Sequence, residues 1–136
     1  MPVPPQSIHL ASLFAALADP TRLRLLNLMA GREVCVCYFV EILRQGQPKI
    51  SRHLAYLRRA GIVSARRQGK WMHYSISLVA DPAADSILSA VLASLRADKR
   101  MQADVAKLDR ACCVPQKLVI PLGAPRPVLI AAGSNS

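Results

Sequence analysis

Four cysteines fall in two close pairs, Cys35-Val36-Cys37 and Cys112-Cys113. As thiolates they would be nucleophiles and ligands for soft ions. The first residues, Met1-Pro2-Val3-Pro4-Pro5-Gln6, carry neither the basic nor the apolar stretch of a signal peptide, so the expected location is the cytoplasm. Thiols stay reduced there, and paired cysteines read as metal-binding or redox groups before they read as disulfides. On a regular helix, side chains two positions apart diverge by about 200°. Cys35 and Cys37 could then share one ion only near a helix start, or where binding distorts the turn. A helix start also lowers a thiol pKa and supplies thiolate at neutral pH. Two close pairs in so short a chain argue against four unrelated core cysteines.

The second chemical feature is charge. The 136 residues hold 18 Lys+Arg and 8 Asp+Glu, a formal +10. Eight of the basic residues (Arg44, Lys49, Arg52, Arg58, Arg59, Arg66, Arg67 and Lys70) lie in the 30 residues from Arg44 to His73, which contain no Asp or Glu. The other 106 residues carry ten positive and eight negative charges, a net of only +2. Such a cluster is either a solvated face or the footprint of a polyanion, a nucleic acid or a membrane surface. No run of 18 uncharged apolar residues exists, so no membrane span is expected.

The elements that must position these groups follow from periodicity. Length sets one domain. Leu10, Leu13, Phe14 and Leu17 mark one face of a first helix. Asp19-Pro20 is a cap followed by a proline at the first helical position, and opens a second helix that ends at Gly31. Residues 33–44 are ambiguous: Val34 to Val40 are rich in strand formers, but Val36, Phe39, Val40 and Leu43 have helical spacing, and a helix is expected. After the turn at Gln45-Gly46-Gln47, a helix from Pro48 to Gly61 turns Ile50, Leu54 and Leu57 inward and Arg52, Tyr56 and Arg59 outward. Two helices joined by a tight turn, the second with a basic outer face, form a helix-turn-helix with a reading helix. Residues 62–67 and 70–76 flank Gln68-Gly69 as a hairpin, a cationic wing in which Trp71 and Tyr74 are expected to be core. Asp81-Pro82 starts a last helix to about Asp109, roughly 40 Å long and suited to a dimer interface.

The fold class expected is therefore mostly α with a β-hairpin wing: a winged helix-turn-helix of order α-α-α-α-β-β-α, dimeric through its first and last helices. Residues 1–6 read as a flexible arm, 7–110 as the DNA-binding and dimerisation domain, and 111–136 as the Cys pair and a Pro-rich mobile tail. A docked arm on a partner subunit is the alternative for that tail.

Over roughly residues 8–110 the sequence resembles the ArsR/SmtB family of metal-sensing winged-helix repressors. The resemblance rests on Leu17-Ala18-Asp19-Pro20-Thr21-Arg22-Leu23-Arg24-Leu25-Leu26, on Glu33-Val34-Cys35-Val36-Cys37, on the stretch from Ser51-Arg52-His53-Leu54 to Ala60-Gly61-Ile62-Val63, and on Gly69-Lys70-Trp71-Met72-His73-Tyr74. It implies a homodimer on a palindromic double-stranded operator, released when a metal or metalloid binds, and no enzyme. The Cys-Val-Cys element resembles the branches that sense arsenic, antimony, cadmium or lead. Many arsenic-sensing relatives carry a third Cys three residues after the second. Here that position is Val40, so a third sulfur for As(III) or Sb(III) falls to Cys112 or Cys113, from the same or the partner subunit. Two independent sites are the alternative. Four thiolates, Cys35, Cys37, Cys112 and Cys113, would suit Cd(II) or Pb(II). The zinc and nickel branch needs His ligands on the last helix, and residues 82–109 have none.

For DNA, phosphate contacts supply affinity and base edges supply sequence reading. Gln47, Lys49, Ser51, Arg52, His53, Tyr56 and Arg59 are the candidates on the reading helix. Arg52 suits guanine, Gln47 adenine, and Ser51 and Tyr56 phosphate. Arg66, Arg67 and Lys70 of the wing would follow the backbone or the minor groove. His53 has core packing as its alternative. No cofactor is needed for DNA binding itself. A thiol phosphatase or arsenate reductase would need Arg six residues after a Cys, where Glu41 and Leu43 stand, and no Walker or Rossmann glycine pattern exists. Rival readings are a thiol redox sensor on the same fold and a thiol metallochaperone, which would have no use for the basic helix and wing.

Overall fold

Local capping chemistry sets the helix boundaries. Asp19 is extended and its carboxylate accepts the Arg22 N–H at 3.0 Å, while Pro20 occupies a position whose N–H would have no partner. Asp81 repeats the device, accepting from the Ala84 N–H at 3.1 Å ahead of Pro82. A computed structural model of the chain describes residues 10–77, 81–113 and 125–130. The arm at 1–6 and the rest of the C-terminal tail lie outside the described residues, as do the side chains of Cys112 and Cys113.

The described elements are α1 (Leu10–Leu17), α2 (Pro20–Leu28), β1 (Arg32–Cys35), α3 (Val36–Leu43), α4 (Gln47–Arg59), β2 (Val63–Gln68), β3 (Trp71–Ile76), α5 (Pro82–Arg96), α6 (Lys99–Cys113) and β4 (Val128–Leu129). The ambiguous stretch is both things in turn: its first four residues are a strand and the rest a helix. Arg44, in the left-handed region at φ 55°, closes α3 before the turn into α4. Ile50, Leu54 and Leu57 of α4 are fully buried with Leu25, Leu26, Met29, Phe39 and Ile62. The order is a winged helix-turn-helix, with a small antiparallel sheet β2-β3-β1-β4 beside the helices.

Three features depart from the sequence expectations. The wing's two-residue loop is Gly69-Lys70, because Gln68 pairs with Trp71, and Gly69 takes the positive φ of 60°. The long last helix is broken into α5 and α6. Asp98 interrupts it and caps the second piece, accepting from the N–H groups of Arg100 and Met101 at 2.9 and 3.1 Å. The break lets α6 fold back on its own domain, packing against α2 and α3 with Leu108 and Ala111 fully buried. Arg24 of α2 donates twice to Asp104 of α6, at 2.8 and 3.0 Å, and Asn27 donates to the Met101 carbonyl at 3.0 Å. Within the tail, β4 pairs with β1 (Arg32 opposite Leu129, Glu33 opposite Val128). No helix among the described residues is long and apolar enough to cross a membrane.

Candidate thiol site and nucleic-acid interface

The chain turns from strand to helix at the first thiol. Cys35 is the extended residue (φ −71°, ψ 144°) that caps α3, and Cys37 is the second residue of that helix. The divergence expected of two helical positions therefore does not arise: the Cys37 Sγ–H donates to Cys35 Sγ at 3.5 Å. Of the two ways in which the sequence allowed the sulfurs to meet, a helix start or a distorted turn, the structure shows the helix start. Cys35 is fully buried and Cys37 half-buried.

The pair is electrically asymmetric. The hydrogen bond from Cys37 holds the Cys35 thiol down at about 6 against the burial that would raise it, helped by the N–H groups of Cys37, Val36 and Met72. Cys37, the donor, is pushed up by the same bond, by burial and by the charge on Cys35. At neutral pH the pair carries one proton and one negative charge, with the thiolate at a helix N-terminus. Among the described residues no group of three or more His, Cys, Asp or Glu is placed to hold an ion. The backbone of Cys112 and Cys113 ends α6, directly after Ala111, which shares a core with Cys35. Arg32 of β1 also donates to Asp109 of α6.

α3 and α4 form the helix-turn-helix, and α4 displays the expected reading face. Gln47, Lys49, Arg52, Tyr56 and Arg59 are exposed, as are Arg66, Arg67 and Lys70 on the wing. Ser51 and His53 are half-buried. His53 turns toward α2, with Nδ1 at 3.3 Å from Arg22 Nη1 and 3.8 Å from Asp19 Oδ2. Burial lowers its pKa, opposed by the Asp19 charge, so it is largely neutral at pH 7. Trp71 and Tyr74 pack against the core, and Lys70 Nζ lies 5.0 Å from the Trp71 ring.

Two residues were missed by sequence reasoning. Arg22 donates to the carbonyls of Ala16 and Ala15 at 2.7 and 3.1 Å and lies 4.1 Å over the Tyr56 ring, bracing α4 against the end of α1. It sits in the Asp19-Pro20-Thr21-Arg22 stretch, which reads locally as a helix cap and nothing more. Glu33 accepts from Arg66 Nε and Nη2 at 3.0 and 2.7 Å, tying the thiol-bearing strand to the wing. No local signal links residues 33 positions apart.

A helix-turn-helix with an exposed basic second helix, followed by a cationic hairpin, defines a winged-helix regulator. Among solved structures the fold is similar to HlyU from Vibrio cholerae, with a TM-score of 0.54 and 27% identity over 60% of this chain and 86% of that one. The family model "Bacterial regulatory protein, arsR family" matches residues 19–65. The arsenical resistance operon repressor of Escherichia coli is 53% identical over 66 residues, 48% of this chain and 56% of the repressor. An HTH-type transcriptional regulator of Methanocaldococcus jannaschii is 48% identical over 67 residues, 48% of this chain and 75% of that protein. The chain belongs to the arsR family of bacterial regulatory proteins. It spans little more than half the length of the E. coli repressor it matches.

Proposed function

We propose that the chain is a homodimeric transcriptional repressor, acting in the cytoplasm, that grips a palindromic operator through α4 and the wing and lets go when As(III) or Sb(III) binds its thiols. The observation that carries this reading is the Cys35–Cys37 contact of 3.5 Å at the head of α3, the first helix of the helix-turn-helix. Cys35 and Cys37 supply two sulfurs. Cys112 or Cys113 of the same subunit supplies the third, a choice supported by the packing of the last turn of α6 on the core that contains Cys35. The name of the E. coli relative supports an arsenical inducer. Four thiolates would instead suit Cd(II) or Pb(II).

An ion can shift the protein away from its operator-binding state only by binding the other state more tightly. Drawing the end of α6 onto the thiol pair supplies such a difference, because α6 rests on both α2 and α3. The dimer forms through α1, whose Leu10 and Phe14 are 47% and 54% exposed, and through α5. DNA contacts are assigned to Gln47, Lys49, Ser51, Arg52, Tyr56, Arg59, Arg66, Arg67 and Lys70. His53 serves mainly as a brace between α4 and α2.

The test is operator retardation with and without arsenite, antimonite, Cd(II) and Pb(II). Cys35→Ser and Cys37→Ser should still retard the operator and no longer release it with arsenite. The Cys112→Ser/Cys113→Ser double variant should do the same; a normal response from it removes the composite site. The contact between a low-pKa thiolate and a second thiol also favours a second reading, a redox sensor. In that case peroxide takes two electrons and two protons from a thiol pair, and a disulfide forms before DNA release. Mass spectrometry of peroxide-treated and arsenite-treated protein separates the two.

A further inference from the structure

The acid-free stretch from Arg44 to His73 is not acid-free in three dimensions. Sheet order β2-β3-β1 places Glu33 two strands away from Arg66, and the two side chains meet in parallel charge-assisted hydrogen bonds of 3.0 and 2.7 Å. The register explains how. Cys35 lies opposite His73, and His73 opposite Arg66, so the three side chains share one face of the sheet. Glu33, two positions before Cys35 on β1, points to that same face.

The partners are unequally placed. The Glu33 side chain is 19% exposed and that of Arg66 is 52% exposed. The carboxylate lies largely covered against the sheet, while the guanidinium sits on the exposed surface of the hairpin, where a phosphate can reach it. Arg66 holds Glu33 below the usual carboxylate range, so the acid stays charged at neutral pH. A carboxylate gripping the guanidinium through two oxygens offers the same bidentate geometry as a DNA phosphate.

We propose that Glu33 is a built-in phosphate mimic: it holds the wing's Arg66 in the free protein and competes with the DNA backbone for it. Operator docking then exchanges a carboxylate for a phosphate at Arg66, and the wing engages DNA with less net attraction than its count of cations implies. The residue that restrains the wing lies on the strand that carries Cys35. The proposal rests on the reading of the chain as a DNA-binding regulator.

The test is a cycle of Glu33→Gln, Arg66→Gln and the double variant in the full-length protein, with DNA affinity measured from low to moderate salt. Glu33→Gln should bind operator and unrelated duplex alike several-fold more tightly, with a log–log salt slope steeper by up to about one per protomer. Arg66→Gln should weaken binding, and the double variant should match Arg66→Gln, because Glu33 acts only through that arginine. Thermal melting near that of the unsubstituted protein shows that the fold is intact. Unchanged or weaker binding by a folded Glu33→Gln variant overturns the proposal. So does an equal gain in the Arg66→Gln background, which would make Glu33 a general source of repulsion. If the unsubstituted chain binds no duplex at low salt, the DNA-binding reading fails first and takes this proposal with it.

Discussion

A thiol pair sharing one proton has its own titration, and here two residues divide it unequally. Cys35 is the anion because Cys37 donates to it and because the N–H groups at the start of α3 point at it. Removing the donor with Cys37→Ala should raise the Cys35 midpoint from about 6 toward the ordinary thiol value of 9.0, read from the pH profile of alkylation. The same asymmetry would set the pH dependence of the proposed ion capture. Protons and thiophilic cations compete for the sulfurs, so Cd(II) affinity should fall as pH drops through about 6, where Cys35 takes up its proton. A flat Cd(II) titration between pH 7 and 5 would contradict this. The Cys-Val-Cys spacing marked the two thiols as candidates to act together, and they do touch, but the geometry of the contact was not legible. Val34 to Val40 support a strand by composition and a helix by periodicity, and the pairing of Val34 with Tyr74, far along the chain, decides where one gives way to the other.

Helices whose signals are local were readable from the chain. Asp19-Pro20 and Asp81-Pro82 cap and start α2 and α5, and Ile50, Leu54 and Leu57 face the core as their spacing requires. The break between α5 and α6 was not readable, because apolar residues at helical spacing stand on both sides of it, up to Leu95 and again from Met101, and one more Asp in a helix that holds several is unremarkable. What makes Asp98 a cap is the tertiary reward for folding back, and that reward is a pair 80 positions apart. Arg24 and Asp104 are 8% and 2% exposed and bonded through both carboxylate oxygens. Such a pair adds little over well-packed apolar residues, but cutting one side strands a buried charge. Asp104→Ala should therefore cost about 3–5 kcal/mol in urea unfolding, whereas an Arg24→Met/Asp104→Leu exchange should recover most of that loss. If the single variant melts like the unsubstituted chain, α6 is not pinned to α2 by this contact. The prediction bears on the proposed function because α6 carries Cys112 and Cys113, the candidates for the third sulfur.

In the whole molecule, charge and oligomeric state combine. A single domain presents one α4 and one wing, while a palindrome needs two copies related by a twofold axis. About six phosphate contacts from each protomer would give a dimer a log–log salt slope on the order of −10. The apolar face able to join the copies is not buried within one chain. α1 turns Leu13 and Leu17 inward, leaving Leu10 and Phe14 on the outside, and its helical period predicted a stripe without saying which part would lack a cover. With α6 folded onto its own core, the proposed homodimer would join through α1 and α5, so one charge on α1 should separate the copies without touching α4 or the wing. Phe14→Glu should sediment as a monomer with an unchanged circular dichroism spectrum. Its slope on operator DNA should fall to about −5, because each binding event then releases the counterions of one protomer rather than two. A Phe14→Glu variant that remains dimeric and keeps the steep slope would place the interface elsewhere on the molecule.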